Sequence, residues 1–193
     1  MDDLSARIAS DIAEHRAATE RVPEIAPAIE AAAELMIASA KAGGTLLVCG
    51  NGGSAGDAQH IAAEYVGRFL AEREPLRAIA LHTNTSALTA IANDYGFAEV
   101  FARQVRAYGR PGDVLLAIST SGGSPNVIRA AEVARELDMR VVALCGGNGG
   151  ELSEAADVAI DVPATSTPRV QELHILVGHI LCGLVEEHAC AKP

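Results

Sequence analysis

The sequence predicts an α/β domain: a five-stranded parallel sheet flanked by helices in three αβα layers, preceded by two N-terminal helices. Three observations carry that expectation. Five short apolar runs, at 45–49, 78–81, 114–118, 141–144 and 158–162, have the length and composition of strands buried on both faces. Helix-like stretches separate them, as a parallel sheet needs for its crossovers. Glycine- or hydroxyl-rich segments follow the first, third and fourth runs, where ligand-binding loops of such sheets gather.

The elements follow in order. Residues 2–43 are rich in Ala and Glu with helical periodicity. Pro23 and Pro27 punctuate them and Gly43-Gly44 ends them, so two helices are expected with a break near Pro23. Helices are then expected over 54–69, 86–93 with 98–107, 125–137 and 151–156, and a last amphipathic one over 168–189. The 193 residues favour one domain, 1–193, with 1–43 as a helical segment and 44–193 as the α/β core. Hydrophobic residues make up 49% but aromatic ones only 3%, so the core must be built from Ala, Leu, Ile and Val and packed closely through small side chains.

A formal net charge of -10 repels nucleic-acid phosphates and anionic membranes, so neither is an expected partner. No apolar run approaches the about 18 residues that would span a bilayer. The acidic, amphipathic start MDDLSARIASDIAEH does not read as a signal peptide, and a cytoplasmic protein is expected. Of the four cysteines, Cys49 and Cys145 fall in strand-like runs, where reduced, inert thiols are ordinary; no CxxC spacing occurs.

The chemistry is expected at the strand exits. Gly50-Asn51-Gly52-Gly53-Ser54 follows the first run and Ser119-Thr120-Ser121-Gly122-Gly123-Ser124-Pro125 the third, each opening a helix; Gly146 to Gly150 follows the fourth. Glycines let backbone approach a ligand, and N–H groups with hydroxyls at a helix start suit an anion. Four hydroxyls within 119–124 suit a phosphomonoester, although a plain Ser-capped turn has the same look. No GxxxxGK[ST] is present. Gly50-x-Gly52-x-x-Ala55 fits a loose dinucleotide fingerprint, but the second run ends Leu81-His82-Thr83-Asn84, without the acid that would hold a ribose.

His60 and Glu64 stand at i, i+4 on the helix after the first loop, a common metal half-site, though an isolated pair is more often a solvated one. The C-terminal helix carries Gln171, Glu172, His174, His179 and His188. Gln171 and His179 are about 12 Å apart along a straight helix and about 80° around it. One ion could take both only if each side chain stretched, or if the two came from different subunits. Asn93-Asp94-Tyr95-Gly96 is either a capping turn or a pair of sugar-hydroxyl ligands.

Together these segments resemble the phosphoheptose isomerases, of the sugar isomerase (SIS) fold. The matching stretches are GNGGSAGDAQHIAAE at 50–64, LTAIANDYGF at 88–97, GDVLLAISTSGGSPN at 112–126 and TPRVQELHILVGHILCGLVE at 167–186. Gly56 and Gly123 depart slightly from the family's commoner residues. The resemblance implies a homotetramer and an aldose–ketose isomerase acting on D-sedoheptulose 7-phosphate. It implies one Zn2+ per subunit, held by His60, Glu64, Gln171 and His179. It implies substrate contacts at Asn51, Gly52, Gly53, Ser54, Glu64, Asn93, Asp94, Ser119, Thr120, Ser121, Ser124 and Gln171. Glu64 and His179 are then the expected acid–base pair. The rival reading is a non-catalytic SIS protein that binds sugar phosphates and regulates, such as one associating with a replication initiator; the intact His/Glu/Gln set favours the enzyme.

Overall fold

The computed structural model describes residues 2–147 and 149–190. Helix α1 runs Asp2–Glu20 and α2 Ala26–Lys41; between them Pro23 sits in a short 3₁₀ turn, Val22–Ile25, so the expected break falls where proline removes a helical N–H. Five strands follow: β1 Leu46–Gly50, β2 Ala78–Ala80, β3 Val114–Ser119, β4 Arg140–Gly146 and β5 Val158–Val162. The helices between and after them are α3 Gly53–Val66, α4 Thr85–Tyr95, α5 Ala102–Tyr108, α6 Pro125–Glu136, α7 Gly150–Ala155 and α8 Thr167–Ala189.

Every strand pair is parallel, and the sheet order is β2-β1-β3-β4-β5. The chain leaves β1 for one edge, returns past it to β3, and continues the other way. The β1/β3 boundary is thus the topological switch point, where a crevice opens at the carboxyl ends of the strands. The two glycine-hydroxyl loops exit there.

Alternation along the strands builds two cores. Leu46 and Val48 of β1, with Leu116 and Ile118 of β3, face α2, α3 and α8 through Met36, Ile61 and Leu173. Leu47 and Cys49, with Leu115 and Ala117, face α5, α6 and α7 through Val105, Val127 and Leu152. Both faces being apolar at the centre of the sheet, β1, β3 and β4 read as nearly unbroken hydrophobic runs, which is what made them visible in the sequence. Small residues set the helix spacing as expected: a Cβ at Gly178 of α8 would stand 2.8 Å from Ile61 Cδ1 of α3. The start of α8 is also tied to α1, where Arg169 donates to the Asp11 carbonyl at 2.7 Å and His15 meets Glu172 at 2.7 Å.

Some boundaries differ from expectation. The helix after β1 ends at Val66 instead of residue 69, because the chain turns off at Gly67 and residues 67–77 form no helix or strand. The stretch expected as helix over 98–107 opens with a 3₁₀ turn, Phe97–Glu99, since Gly96 at φ 89° ends α4 and redirects the chain. Cys49, Cys145 and Cys182 are buried free thiols, and burial pushes them up to about 12, 11 and 12. Among the described residues no helix is long and apolar enough to cross a membrane.

His174 faces the core and is fully buried. Burial pushes its imidazole down to about 4, and the Cys145 backbone offsets only part of that. A histidine that titrates near 6.5 when unfolded but near 4 when folded binds its proton in the unfolded chain first. Its stabilising contribution is therefore complete above pH 6.5 and lost as the pH falls toward 4, by about 3 kcal/mol. Urea unfolding between pH 7 and 4 should show a steep loss of stability that becomes shallower in His174→Leu; equal slopes would remove His174 as the cause.

Candidate active site

Two helices begin at the switch point. Helix α3 opens directly from the β1 loop, with Gly52 as N-cap at φ 55° and no side-chain cap. Helix α6 opens from the β3 loop behind Ser124, with Pro125 in its first turn. Ser124 makes no capping hydrogen bond; its hydroxyl is 2.9 Å from the Ser119 hydroxyl instead. A plain Ser-capped turn is therefore not what the 119–124 loop forms. The first N–H groups of both helices are left without side-chain caps, and an uncapped helix start attracts an anion. Thr120 is half-buried and Ser121 exposed, with the Ser121 hydroxyl accepting from Gly123 N at 3.2 Å.

The two loops are joined by a pair the sequence reading missed. Asn51 Nδ2 donates to Asn126 Oδ1 at 2.8 Å, and Asn126 Nδ2 donates to Asn51 Oδ1 at 2.9 Å. Asn126 is buried, one residue past Pro125. Its amide, just inside a loop rich in hydroxyls, was the available signal. The β3 loop is also fastened to α7, just after the β4 glycine segment: Leu152 N donates to the Gly122 carbonyl at 2.9 Å. Gly122 has φ 65°, and a Cβ there would overlap the Gly149 carbonyl, so only glycine allows this approach. Asn148, in the same glycine segment, lies outside the described residues.

Along α3 a polar stripe descends from the loop: Gly53, Asp57, His60 and Glu64, at spacings of four, three and four residues. Helix α8 lies against it. Gln171 packs at the top, where a Cβ on Gly53 would overlap its amide. Beneath it Asp57 is buried, with Oδ2 lacking a protein partner. Burial raises the Asp57 carboxyl to about 6, against the opposing pull of the Gln171 hydrogen bond and of nearby His60. Asp57 escaped the sequence reading although it shares the His60 stripe.

Lower down, three groups converge. His60 Nε2 is 2.8 Å from His179 Nε2 and 3.3 Å from Glu64 Oε1. One ligand atom from each of His60, Glu64 and His179 lies within 4.8 Å of the others. Two imidazole nitrogens facing one another beside a carboxylate are a donor set that suits Zn2+. The residues present therefore fit a metal. The i, i+4 pair on α3 is not an isolated surface pair, because α8 brings it a third donor.

The other expected residues separate. Gln171 sits with Gly53 and Asp57 at the loop end of the α3/α8 contact, while His179 sits with His60 and Glu64 farther along. Ser54 is buried behind the β1 loop. Asn93 donates to Asp94 at 2.8 Å on α4, and both are exposed; among the described residues no hydrogen bond links them to the two loops. Asn84, where a dinucleotide site wants an acid, instead caps α4 by accepting from Ala87 N at 3.0 Å. His188 is exposed at the end of α8, beside the Leu184 carbonyl at 2.9 Å, as a helix C-terminus favours.

Known proteins share this sequence pattern and fold. The sequence profile of the SIS domain matches residues 12–146. A phosphoheptose isomerase of Rhodospirillum rubrum is 57% identical over 171 residues, covering 89% of this chain and 91% of that protein. The structure of a phosphoheptose isomerase from Neisseria gonorrhoeae superposes with a TM-score of 0.90 at 48% identity, covering 95% of this chain and 99% of that one. One from Francisella tularensis gives 0.91 at 39% identity, covering 97% and 100%. Likeness of this extent in both sequence and fold means that the chain belongs to the SIS domain family and, within it, to the phosphoheptose isomerases.

Proposed function

We propose that the protein converts D-sedoheptulose 7-phosphate to D-glycero-D-manno-heptose 7-phosphate, for heptose nucleotide-sugar synthesis. The observation that carries this reading is the convergence of His60, Glu64 and His179 on α3 and α8, the helices that border the switch-point loops. The phosphate belongs at Ser119, Thr120, Ser121 and Ser124, before the uncapped start of α6. Asn51, Gly52, Gly53, Ser54, Asn93, Asp94 and Gln171 are the proposed contacts to the sugar.

Aldose–ketose isomerisation moves a proton between C1 and C2 through an enediol. Glu64 and His179 form the proposed acid–base pair: one group accepts the carbon-bound proton and returns it to the neighbouring carbon, and the other moves protons between the two oxygens. His60, Glu64 and His179 would hold one Zn2+ per subunit, which when bound would polarise those oxygens. Gln171 stands apart from the three within this chain, so its place as a fourth ligand is proposed for the assembled homotetramer. Leu4, Ile8 and Ile12 on α1, exposed at 70%, 61% and 56%, form an apolar stripe that a partner subunit would cover. The buried free thiols suit a reducing, cytoplasmic setting.

The test is an isomerase assay on sedoheptulose 7-phosphate with zinc-loaded protein, chelator-treated protein, and treated protein resupplied with Zn2+. Product formation that chelator removes and zinc restores is expected. Absence of product with zinc present would favour a non-catalytic sugar-phosphate binder.

A further inference from the structure

Beyond the end of α3 the chain has no helix or strand over 67–77, yet it is firmly held. Glu186 of α8 accepts from the backbone N–H groups of Phe69, Leu70 and Ala71 at 2.9, 2.7 and 2.7 Å, and from Arg73 Nε at 3.1 Å. Both side chains of the Arg73–Glu186 pair are buried, at 5% and 6% exposure. Burial pushes the Glu186 carboxyl up, but the three backbone donors and the Arg73 charge outweigh it and hold it below its ordinary value. Arg73 reaches back as well, donating to the Glu64 carbonyl at 2.7 Å and the Tyr65 carbonyl at 2.8 Å. The segment thus bridges α3 at Glu64 to α8 at Glu186, seven residues beyond His179.

The bridge places one side chain on the site. The Phe69 ring stacks on the His179 imidazole, with centroids 5.6 Å apart and planes 25° apart. Gly183 of α8 lies beside the ring, where a Cβ would stand in ordinary contact, 3.5 Å from Phe69 Cε1. His60 meets the same imidazole edge-on, at 5.0 Å and 73°. A histidine ring otherwise turns broadly about its last torsion, so a stacked face is what selects one orientation.

We infer that Phe69, held by the Arg73–Glu186 clamp, is a positioning residue that orients the His179 imidazole toward His60 and Glu64. The inference rests on the reading of those three groups as the metal and acid–base site. Its chemistry is that of outer-layer support, in which a ligand's neighbours fix its ring before the ion or substrate arrives.

The test uses the full chain, stripped of metal, with Phe69→Leu, Phe69→Tyr and His179→Ala variants. Leu keeps apolar volume but has no planar face; Tyr keeps the face. Zn2+ affinity is measured by competition with a chromophoric chelator, kcat and KM at saturating zinc, and the thermal midpoint alongside. Phe69→Leu should lose about tenfold in zinc affinity and in kcat, with KM changed less than about twofold. Phe69→Tyr should restore both. A lowered midpoint with wild-type zinc affinity and kcat in Phe69→Leu would reduce Phe69 to packing and overturn the inference. If His179→Ala itself binds zinc and turns over like the wild type, the site reading fails and the inference falls with it. If His179→Ala loses both while Phe69→Leu keeps both, only the positioning role is lost.

Discussion

Glu64→Gln is expected to lower kcat for sedoheptulose 7-phosphate by about 10²–10⁴-fold, the range over which a positioned acid or base accelerates proton transfer. The substitution keeps size and one oxygen but removes the negative charge and the basic lone pair. His179→Ala should fall in the same range. Because Glu64 Oε1 lies 3.3 Å from His60 Nε2, the change weakens the metal group as well. The assay is therefore run at saturating Zn2+ with His60→Ala in parallel. His60→Ala removes a ligand but neither proposed proton-transfer group, so saturating zinc should recover more of its activity than of the other two. Near-native turnover in both Glu64→Gln and His179→Ala would sink the acid–base assignment.

Gly122→Ala should nearly abolish productive phosphate binding. At φ 65° an alanine is strained by about 1–2 kcal/mol, and its Cβ would overlap the Gly149 carbonyl. The loop must then move off the β4 glycine segment and lose the 2.9 Å bond from Leu152 N. Misplacement by about 1 Å is enough to cost about 10²-fold in kcat/KM. The internal comparison is Gly123→Ala one residue on, where a Cβ would meet only Ser121 Oγ, at 3.8 Å. Inorganic phosphate should compete with substrate in Gly123→Ala and hardly at all in Gly122→Ala. Equal inhibition constants in the two variants would show that the loop's backbone shape does not govern the anion.

The three central strands were legible because both sheet faces are covered there, so β1, β3 and β4 are mostly apolar runs and their exits are marked by glycine or hydroxyls. The His60/Glu64 pair was legible because both residues lie on one helix, four apart, where local geometry alone makes them neighbours. The same local reasoning set a condition on Gln171 and His179, eight apart on one helix: one ion takes both only if each side chain stretches or if the two come from different subunits. In the structure Gln171 sits at Gly53, the first residue of α3, and His179 two turns on at His60.

What the sequence determined by itself was therefore short-range: helix faces, strand runs, loop chemistry, and the family whose motifs those loops carry. Tertiary structure decided everything that joins distant segments. Asn51 meets Asn126 because β1 and β3 are neighbours in the sheet although β2 lies between them in the chain. His179 reaches His60 because Gly178 lets α8 settle onto Ile61 of α3. Phe69 reaches His179 because a buried carboxylate 117 residues later accepts its backbone N–H. Periodicity reports which face of an element is buried, but not against what. Strand order and helix packing supply that, and they turned three residues from two helices into one candidate site.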